Sequence, residues 1–218
     1  SNGYDGILYA AKAGYYAGTF SIINNSWGGG GYSNSEQSVI NTAHNTYGAV
    51  VVASAGNGSS TGNEEQYETG YPASYENVIS VCAIGCNGNW GGWASYHPTV
   101  DLAAPGESIY SAIIGTGYAS WNGSSMAGPN AASAIGLLQA FYPDMDNDQL
   151  IERILNTADR FIYDRNPEYE TCNGYNGTDC LGKGMVDPYK AIGVEIAPNL
   201  DILSFSVIED AENADGDG

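Results

Sequence analysis

The residues best suited to chemistry lie in one stretch, between Trp121 and Pro143. It holds a Gly-Ser-Ser turn, Gly123 to Ser125, followed by small and apolar residues long enough for a buried helix. An abrupt junction between a loop and a helix exposes a hydroxyl, and the free N–H groups at the positive end of the helix favour developing negative charge. The turn therefore allows a nucleophilic serine, but taken alone it fits a simple helix N-cap better, so the choice depends on the surrounding sequence.

The cysteines form two close pairs, and neither pair has the spacing of a zinc site. Cys172 and Cys180 bracket a turn-rich loop, so we predict that they form a loop-closing disulfide. For Cys82 and Cys86 a disulfide and free buried thiols remain equal alternatives. Disulfides would point to an oxidising compartment.

Alternating buried strands and helices must position the serine turn, which predicts an α/β domain with a mainly parallel sheet. Strands are predicted over residues 19–24, 49–54, 77–84 and 100–106, and a hairpin is predicted around Gly115 to Gly117. Helices are predicted over residues 4–17 and 124–141, between a Ser33-x-x-Glu36 capping box and Gly48, and after an N-cap at Asp146 or Asn147.

Composition and charge limit the partners. The 25 acidic and 6 basic residues give a net charge of −19, which argues against a nucleic-acid partner. The acidic, lysine-poor composition fits an extracellular or a salt-adapted protein equally, and no run is apolar enough to span a membrane. The chain begins without Met or a signal peptide, so we interpret it as a processed or excised piece. We expect one domain over residues 1–193, then an acidic linker or the start of a following β module over residues 194–218.

Six motifs together resemble the subtilisin-like serine peptidases, and they occur in the order of that family. They are INNSWGG (23–29), VVVASAGN (50–57), YPASYENVISV (71–81), DLAAPG (101–106), NGSSMAGP (122–129) and GKGMVD (182–187). The resemblance covers roughly residues 5–193. It implies the three-layer subtilisin-like fold around a mainly parallel sheet, with the N-terminal strands missing from this chain.

The resemblance also implies catalytic roles. Ser125 matches the nucleophile of the family, and Asn57 matches the side-chain donor of the oxyanion hole, which the backbone N–H of Ser125 completes. Fixed dipoles of this kind stabilise a tetrahedral intermediate; loss of one donor is worth roughly 3–4 kcal/mol, a figure known from subtilisin itself. Without the resemblance, Asn57 would be interpreted as part of a turn after a strand.

The resemblance further implies where a substrate lies. Residues Ser26, Trp27 and Gly28 match the segment that pairs with the substrate backbone, although Trp27 could equally be a packing residue. The wall of the primary specificity pocket matches Ala53, Ser54, Ala55 and Gly56, and its floor matches Gly70. These small residues imply a roomy pocket for a large apolar or aromatic side chain, unless Glu64, Glu65 or Glu68 reach in and favour a basic one.

Catalysis needs no cofactor in this family, but some relatives hold a structural cation. The carbonyl groups of Ala73, Tyr75 and Val78 match that weak site, which would take calcium or sodium.

The aspartate and histidine of the catalytic triad belong before the first residue of this sequence. His44, within a predicted helix, and His97, in a loop, are poor candidates for the base, and Asn130 stands where a packing histidine usually follows the serine motif. The missing strands would also leave Ile22 and its neighbours at an unpaired edge. We therefore expect an N-terminal fragment of the same peptidase, carrying Asp and His, as the partner of this chain.

Two functions from different classes fit this sequence. The first is a secreted serine endopeptidase that cleaves a protein or peptide substrate through an acyl-enzyme on Ser125. The alternative is a non-catalytic peptidase-like module that binds peptides or helps to build an extracellular assembly. An esterase using the same serine is chemically allowed, but nothing in the sequence selects it.

Overall fold

The protein is described by a computed structural model, which covers residues 2–58, 66–67, 69–89, 92–172 and 179–193. The helices are α1 (Asn2–Tyr16), α2 (Asn34–Asn45), α3 (Ser124–Phe141), α4 (Asn147–Asn156), α5 (Phe161–Arg165) and α6 (Pro188–Ile192), with a 3₁₀ turn at Pro167–Tyr169. The strands are β1 (Ile22–Asn25), β2 (Val50–Ser54), β3 (Gln66–Tyr67), β4 (Val78–Ile84), β5 (Ser95–Tyr96), β6 (Leu102–Pro105), β7 (Ile109–Ala112) and β8 (Tyr118–Trp121).

The central sheet is parallel, with the strand order β1-β2-β4-β6. Its middle strands β2 and β4 are buried along their whole length, as continuous Val- and Ala-rich runs require. Among the described strands β1 pairs only with β2, so it forms one edge of the sheet, as the sequence predicted. Strands β3 and β5 form a separate parallel pair, and β7 and β8 form the predicted antiparallel hairpin.

Helices cover both faces of the central sheet, which confirms the α/β three-layer prediction. Alternate residues of β2 point to opposite faces: Val50 and Val52 pack in a core with α3 and α4, whereas Val51 and Ala53 pack in a second core with α1 and α2. Helix α3 starts and ends where the sequence predicted. None of the described helices is both long and apolar enough to cross a bilayer.

Three local predictions have definite outcomes. Asp146 caps α4 and forms a capping box with Gln149. Ser33 precedes α2, but its side chain makes no cap hydrogen bond, so the capping box predicted with Glu36 is wrong. The Glu36 carboxylate instead accepts a hydrogen bond from the Tyr75 hydroxyl at 2.8 Å, a tertiary contact that no local pattern shows.

The cysteines divide as one disulfide and two thiols. Cys172 and Cys180 are bonded, as predicted, with their Cα atoms 5.0 Å apart. Cys82 and Cys86 are both free, one buried and one exposed, which decides the alternative that the sequence left open. Burial raises the pKa of the Cys82 thiol to about 12, so this group is a packing residue in β4 and not a reactive thiolate.

Candidate active site

The serine turn and the end of β2 meet at the carboxyl edge of the central sheet. Strand β2 ends at Ser54 and leads through Ala55 and Gly56 to Asn57, while α3 begins at Ser124 beside it. In open α/β sheets ligands bind outside the carboxyl ends of the strands, because the loops that follow the strands converge there.

Asn57 is held by its carboxamide oxygen. Its Oδ1 accepts two hydrogen bonds from Ser124, one from the backbone N–H and one from the hydroxyl, each at 2.8 Å. The Ser124 hydroxyl in turn accepts a bond from the N–H of Gly56 at 3.2 Å. Because Oδ1 is fixed in this way, the amide nitrogen Nδ2 must point away from Ser124, and none of the described residues accepts a hydrogen bond from it.

The Asn57 amide and the Ser125 backbone N–H border one small space. A methyl group built on Gly123 would lie 3.6 Å from Asn57 Nδ2 and also 3.6 Å from the Ser125 nitrogen. The Ser125 N–H lies in the first turn of α3, where a helix offers it no internal acceptor. Only a glycine leaves this space open, so two donors can reach the same incoming oxygen.

The Ser125 hydroxyl lies at the rim of this space and is partly exposed. Its Oγ donates a long hydrogen bond of 3.5 Å to the carbonyl of Ser26, and the Ser26 hydroxyl donates to the Ser125 carbonyl at 2.9 Å. The Asn24 side chain donates to the same Ser26 hydroxyl at 2.9 Å. The residues at the end of β1 and just after it therefore help to fix the first turn of α3.

A cleft of about 380 Å³ opens on one side of Ser125 and Asn57. Besides Asn57 and Ser125, its lining includes six of the eight residues that the resemblance implied for substrate binding: Trp27, Gly28, Ser54, Ala55, Gly56 and Gly70. The other two, Ala53 and Ser26, do not line the cleft. Ala53 is fully buried in the core with α1 and α2, and the Ser26 hydroxyl is bonded to the Ser125 carbonyl. Glu64, Glu65 and Glu68, proposed modifiers of the pocket, lie outside the described residues.

The loop that carries Trp27 is tied to the turn that precedes β4. The N–H of Gly29 donates to the Tyr71 carbonyl at 3.0 Å, and the N–H of Ser33 donates to the Tyr75 hydroxyl at 3.1 Å. Burial and then the bond to Glu36 raise the pKa of Tyr75, so its hydroxyl stays protonated as a donor. Trp27 packs edge-on against Tyr4 of α1 at 5.3 Å while it lines the cleft, so it serves both roles that the sequence allowed.

A second cleft, of about 530 Å³, opens on the other side of the same two groups. Its lining comes from the hairpin and from the serine turn: Asn57, Ser120, Trp121, Asn122, Ser125 and Met126. The predicted nucleophile and oxyanion donor therefore stand between two clefts, as they would if an extended peptide crossed the site.

Neither histidine contacts Ser125. His44 is buried at the end of α2, where Nε2 bonds to Asp148 at 3.0 Å and Nδ1 accepts from Asn147 at 3.1 Å. His97 lies beyond β5 and bonds to Thr99 at 3.0 Å. The Asn130 amide, which stands where the family usually has a histidine, donates to the Pro105 carbonyl at 2.8 Å and so holds α3 against β6.

Comparisons with known proteins agree with this geometry. The sequence pattern of the Subtilase family matches residues 1–187. The chain belongs to the subtilase family. Subtilisin DY of Bacillus licheniformis is 38% identical over 146 residues, which cover 65% of this chain and 52% of that protein. Thermitase of Thermoactinomyces vulgaris is 36% identical over 189 residues, covering 86% of this chain and 58% of that protein.

Solved structures of subtilases resemble the described fold. A protease from Pseudoalteromonas arctica superposes with a TM-score of 0.69 at 27% identity, covering 87% of this chain and 57% of that one. Sphericase gives a TM-score of 0.66 at 26% identity, covering 84% and 62%. The chain therefore spans little more than half the length of these subtilases.

The sequence did not reveal the residues that hold the subtilase site in place. The two bonds from Ser124 to Asn57 and the Ser26–Ser125 contact join segments that are 67 and 99 residues apart. The hydroxyl and amide residues within INNS and NGSS give no sign of these pairings. Only the spatial convergence of β1, β2 and α3 brings them together.

Proposed function

We propose that residues 1–193 carry the nucleophile and the oxyanion site of a secreted serine endopeptidase. The observation that supports this most is the common space shared by Asn57 Nδ2 and the Ser125 N–H, next to the Ser125 hydroxyl and between two clefts. A carbonyl oxygen placed in that space would meet two preorganised donors, the arrangement that stabilises the tetrahedral intermediate of acyl transfer.

The chemistry follows from this placement. Ser125 Oγ adds to the carbonyl carbon of the scissile peptide bond, and the negative oxygen receives hydrogen bonds from Asn57 and from the Ser125 N–H. The base that takes the Ser125 proton gives it to the nitrogen of the peptide bond, the C–N bond breaks, the amine leaves through the cleft beside the hairpin, and an acyl-enzyme ester remains on Ser125. Water hydrolyses that ester and restores the serine.

The base that takes the Ser125 proton comes from polypeptide other than residues 1–218. Both histidines of the chain bond to groups away from Ser125. Among the described strands β1 has a partner on one side only, which supports the location of the missing part: strands that extend the sheet there would end beside Ser26, which contacts Ser125. We propose that a segment carrying the histidine and aspartate of the triad occupies this place, as a partner fragment of the same peptidase.

Two further properties belong to this proposal. Secretion is supported by the Cys172–Cys180 disulfide and by the acidic, lysine-poor composition. A weak structural cation would be held by the carbonyl groups of Ala73, Tyr75 and Val78, in and after the turn before β4. A ligand set of neutral carbonyls fits sodium or a partly hydrated calcium ion. Addition of calcium chloride should then raise the Tm, and chelation should lower it.

Labelling with a fluorophosphonate tests the proposed activity directly. The protein as isolated from its source should be modified at Ser125, and the Ser125→Ala variant should not be. Ser133→Ala is the matched control, because Ser133 is an exposed serine on the same helix. Absence of labelling at Ser125 would favour the non-catalytic peptide-binding module instead. An intact-mass spectrum of the labelled material should show a second fragment bearing the histidine; labelled protein made of residues 1–218 alone would reject that part of the proposal.

A further inference from the structure

The hairpin of β7 and β8 exposes a pair of stacked aromatic rings. Tyr110 and Tyr118 are 70% and 65% exposed, and their rings stack at 5.6 Å with an angle of 20°. At the turn between the strands Ile114 is fully exposed. Residues 108–123 contain no charged residue, although the chain has a net charge of −19. Large apolar side chains exposed side by side are typical of binding surfaces.

The register of the hairpin places the tyrosine pair on the same face as Ser120. Tyr110 lies opposite Ser120, and Ala112 lies opposite Tyr118. Residues directly opposite each other, and residues two apart along a strand, share a face of the sheet. Ser120 lines the cleft that contains Ser125, as does Trp121 from the other face of β8, so the tyrosine face adjoins that cleft at Ser120.

The distances along the strand suit an extended peptide. Tyr118 lies two residues from Ser120, which is about 7 Å at the usual rise of a strand. A substrate that runs along β8 in an extended conformation advances by the same distance in two of its own residues. If its first two residues beyond the scissile bond occupy the cleft, its third and fourth residues reach the tyrosines.

We infer that Tyr110 and Tyr118 form a binding site for the third or fourth residue beyond the scissile bond, with a preference for an aromatic side chain. The inference rests on the proposed function for the position of the scissile bond at Ser125. An aromatic side chain would extend the existing stack and cover exposed apolar surface. Residues 108–123 also offer no charged side chain that could pair with a charged residue at that position.

The test compares two internally quenched peptides that differ only at the third and fourth residues beyond the cleaved bond, which are Phe-Phe in one and Ser-Ser in the other. With the protein as isolated, we expect kcat/KM to be about tenfold higher for the Phe-Phe peptide. Tyr118→Ser and Tyr110→Ser should each bring this ratio close to one by lowering kcat/KM for the Phe-Phe peptide. Both residues are exposed, so the variants should fold.

Tyr9→Ser is the matched control, because Tyr9 is equally exposed (77%) but lies on α1, away from the hairpin. It should keep the tenfold ratio. A ratio near one in the unaltered protein, or a ratio that survives both hairpin substitutions, would overturn the inference.

A second measurement separates this inference from the proposed activity. If the fluorophosphonate does not label Ser125, the proposed activity is wrong, and the tyrosine site is then judged by binding alone. Fluorescein-labelled Ser-Gly-Phe-Phe-Gly and Ser-Gly-Ser-Ser-Gly would be titrated with the protein and followed by fluorescence anisotropy. Tighter binding of the Phe-Phe peptide that Tyr118→Ser abolishes supports the site, and equal binding of both peptides excludes it.

Discussion

The two ends of the central sheet carry similar polar residues but use them differently. At the carboxyl end Asn57 is fixed through its oxygen alone, and its amide faces the space beside Ser125. At the amino end His44 lies between Asp148 and Asn147, and both ring nitrogens have partners. The histidine, aspartate and asparagine at the amino end satisfy one another, whereas the groups at the carboxyl end keep donors directed at a cleft.

This difference shows that residue type alone does not mark a reactive site. A buried histidine hydrogen-bonded to an aspartate has two of the residue types of a catalytic triad. Here, however, His44 joins α2 to α4. At the carboxyl end, Ser124 holds the oxygen of Asn57 in place, and the amide nitrogen of Asn57 is left available to donate to a ligand. Substitutions at the carboxyl end should therefore change activity, and substitutions at the amino end should change stability.

Replacement of Ser125 by Ala should remove the activity almost completely. Loss of the nucleophile lowers kcat by about 10⁶-fold, a magnitude known from subtilisin itself. The measurement is hydrolysis of a chromogenic peptide by the protein as isolated, with Ser133→Ala as control. If Ser125→Ala retained more than a few per cent of the activity, the carboxyl end would not be the reactive one.

Asn57→Asp should lower kcat by about 10²–10³-fold with little change in KM, again the magnitude known from subtilisin. The aspartate keeps an oxygen that accepts the two bonds from Ser124, but it replaces the Nδ2 donor by a negatively charged oxygen. The substitution therefore keeps the support and removes the donor, and repulsion between the new charge and the oxyanion adds to the loss. If the variant instead had a higher KM and an unchanged kcat, Asn57 would bind the substrate without specifically stabilising the transition state.

Much of the fold could be predicted because its signals are local. The runs Val50–Ser54 and Val78–Ile84 are apolar and rich in β-branched residues, which is typical of buried strands. Helix α3 has an abrupt start and a long apolar body. These local features were enough to locate all three elements. The Ser33–Glu36 capping box failed because Glu36 finds a partner 39 residues away in Tyr75. A sequence pattern cannot weigh a local bond against a tertiary one.

The candidate site was predicted from motifs and only then given a physical basis. Ser125, Asn57, Trp27 and the small residues of the cleft came from the resemblance, and the structure places them together. The bonds that orient them, from Ser124 and Ser26, could not be predicted, because their partners are remote in sequence. The wall assigned to Ala53 shows the opposite problem: strand alternation sends its side chain to the other face.

Asp101, at the amino end of the sheet, should make stability depend on pH in a direction that is unusual for an acid. Burial is the main cause that raises the pKa of Asp101 to about 6 from 3.8, although the Ser80 N–H and Lys183 oppose it. The folded state binds the proton of Asp101 more tightly than the unfolded state does. The contribution of this group to the free energy of unfolding is therefore largest below about pH 4, and it falls as the pH rises to about 6. Asp101→Asn should therefore be more stable than the unaltered protein above pH 6, by at most about 3 kcal/mol, and should lose this dependence.

Urea unfolding between pH 4.5 and pH 7.5 would measure the effect as the difference between the two proteins. The asparagine keeps an oxygen that can accept the 2.8 Å bond from the Ser80 N–H. Asp144→Asn, at an exposed acid before α4, controls for the change in net charge. Peptidase activity should be equal in all three proteins at pH 7.5; a large loss in Asp101→Asn alone would mean that the two ends of the sheet are coupled.

Asn147→Ala should lower the free energy of unfolding by about 1–3 kcal/mol and leave kcat unchanged. Its side chain donates to His44 Nδ1 in the buried interface between α2 and α4, so its removal leaves a buried acceptor without a donor. Asn156→Ala, at the exposed end of the same helix, is the matched control and should change stability by less than about 0.5 kcal/mol. Denaturant unfolding and peptide hydrolysis on the same preparations give both numbers. A fall in kcat beyond the loss of folded protein would assign His44 a part in catalysis and remove the distinction between the two ends of the sheet.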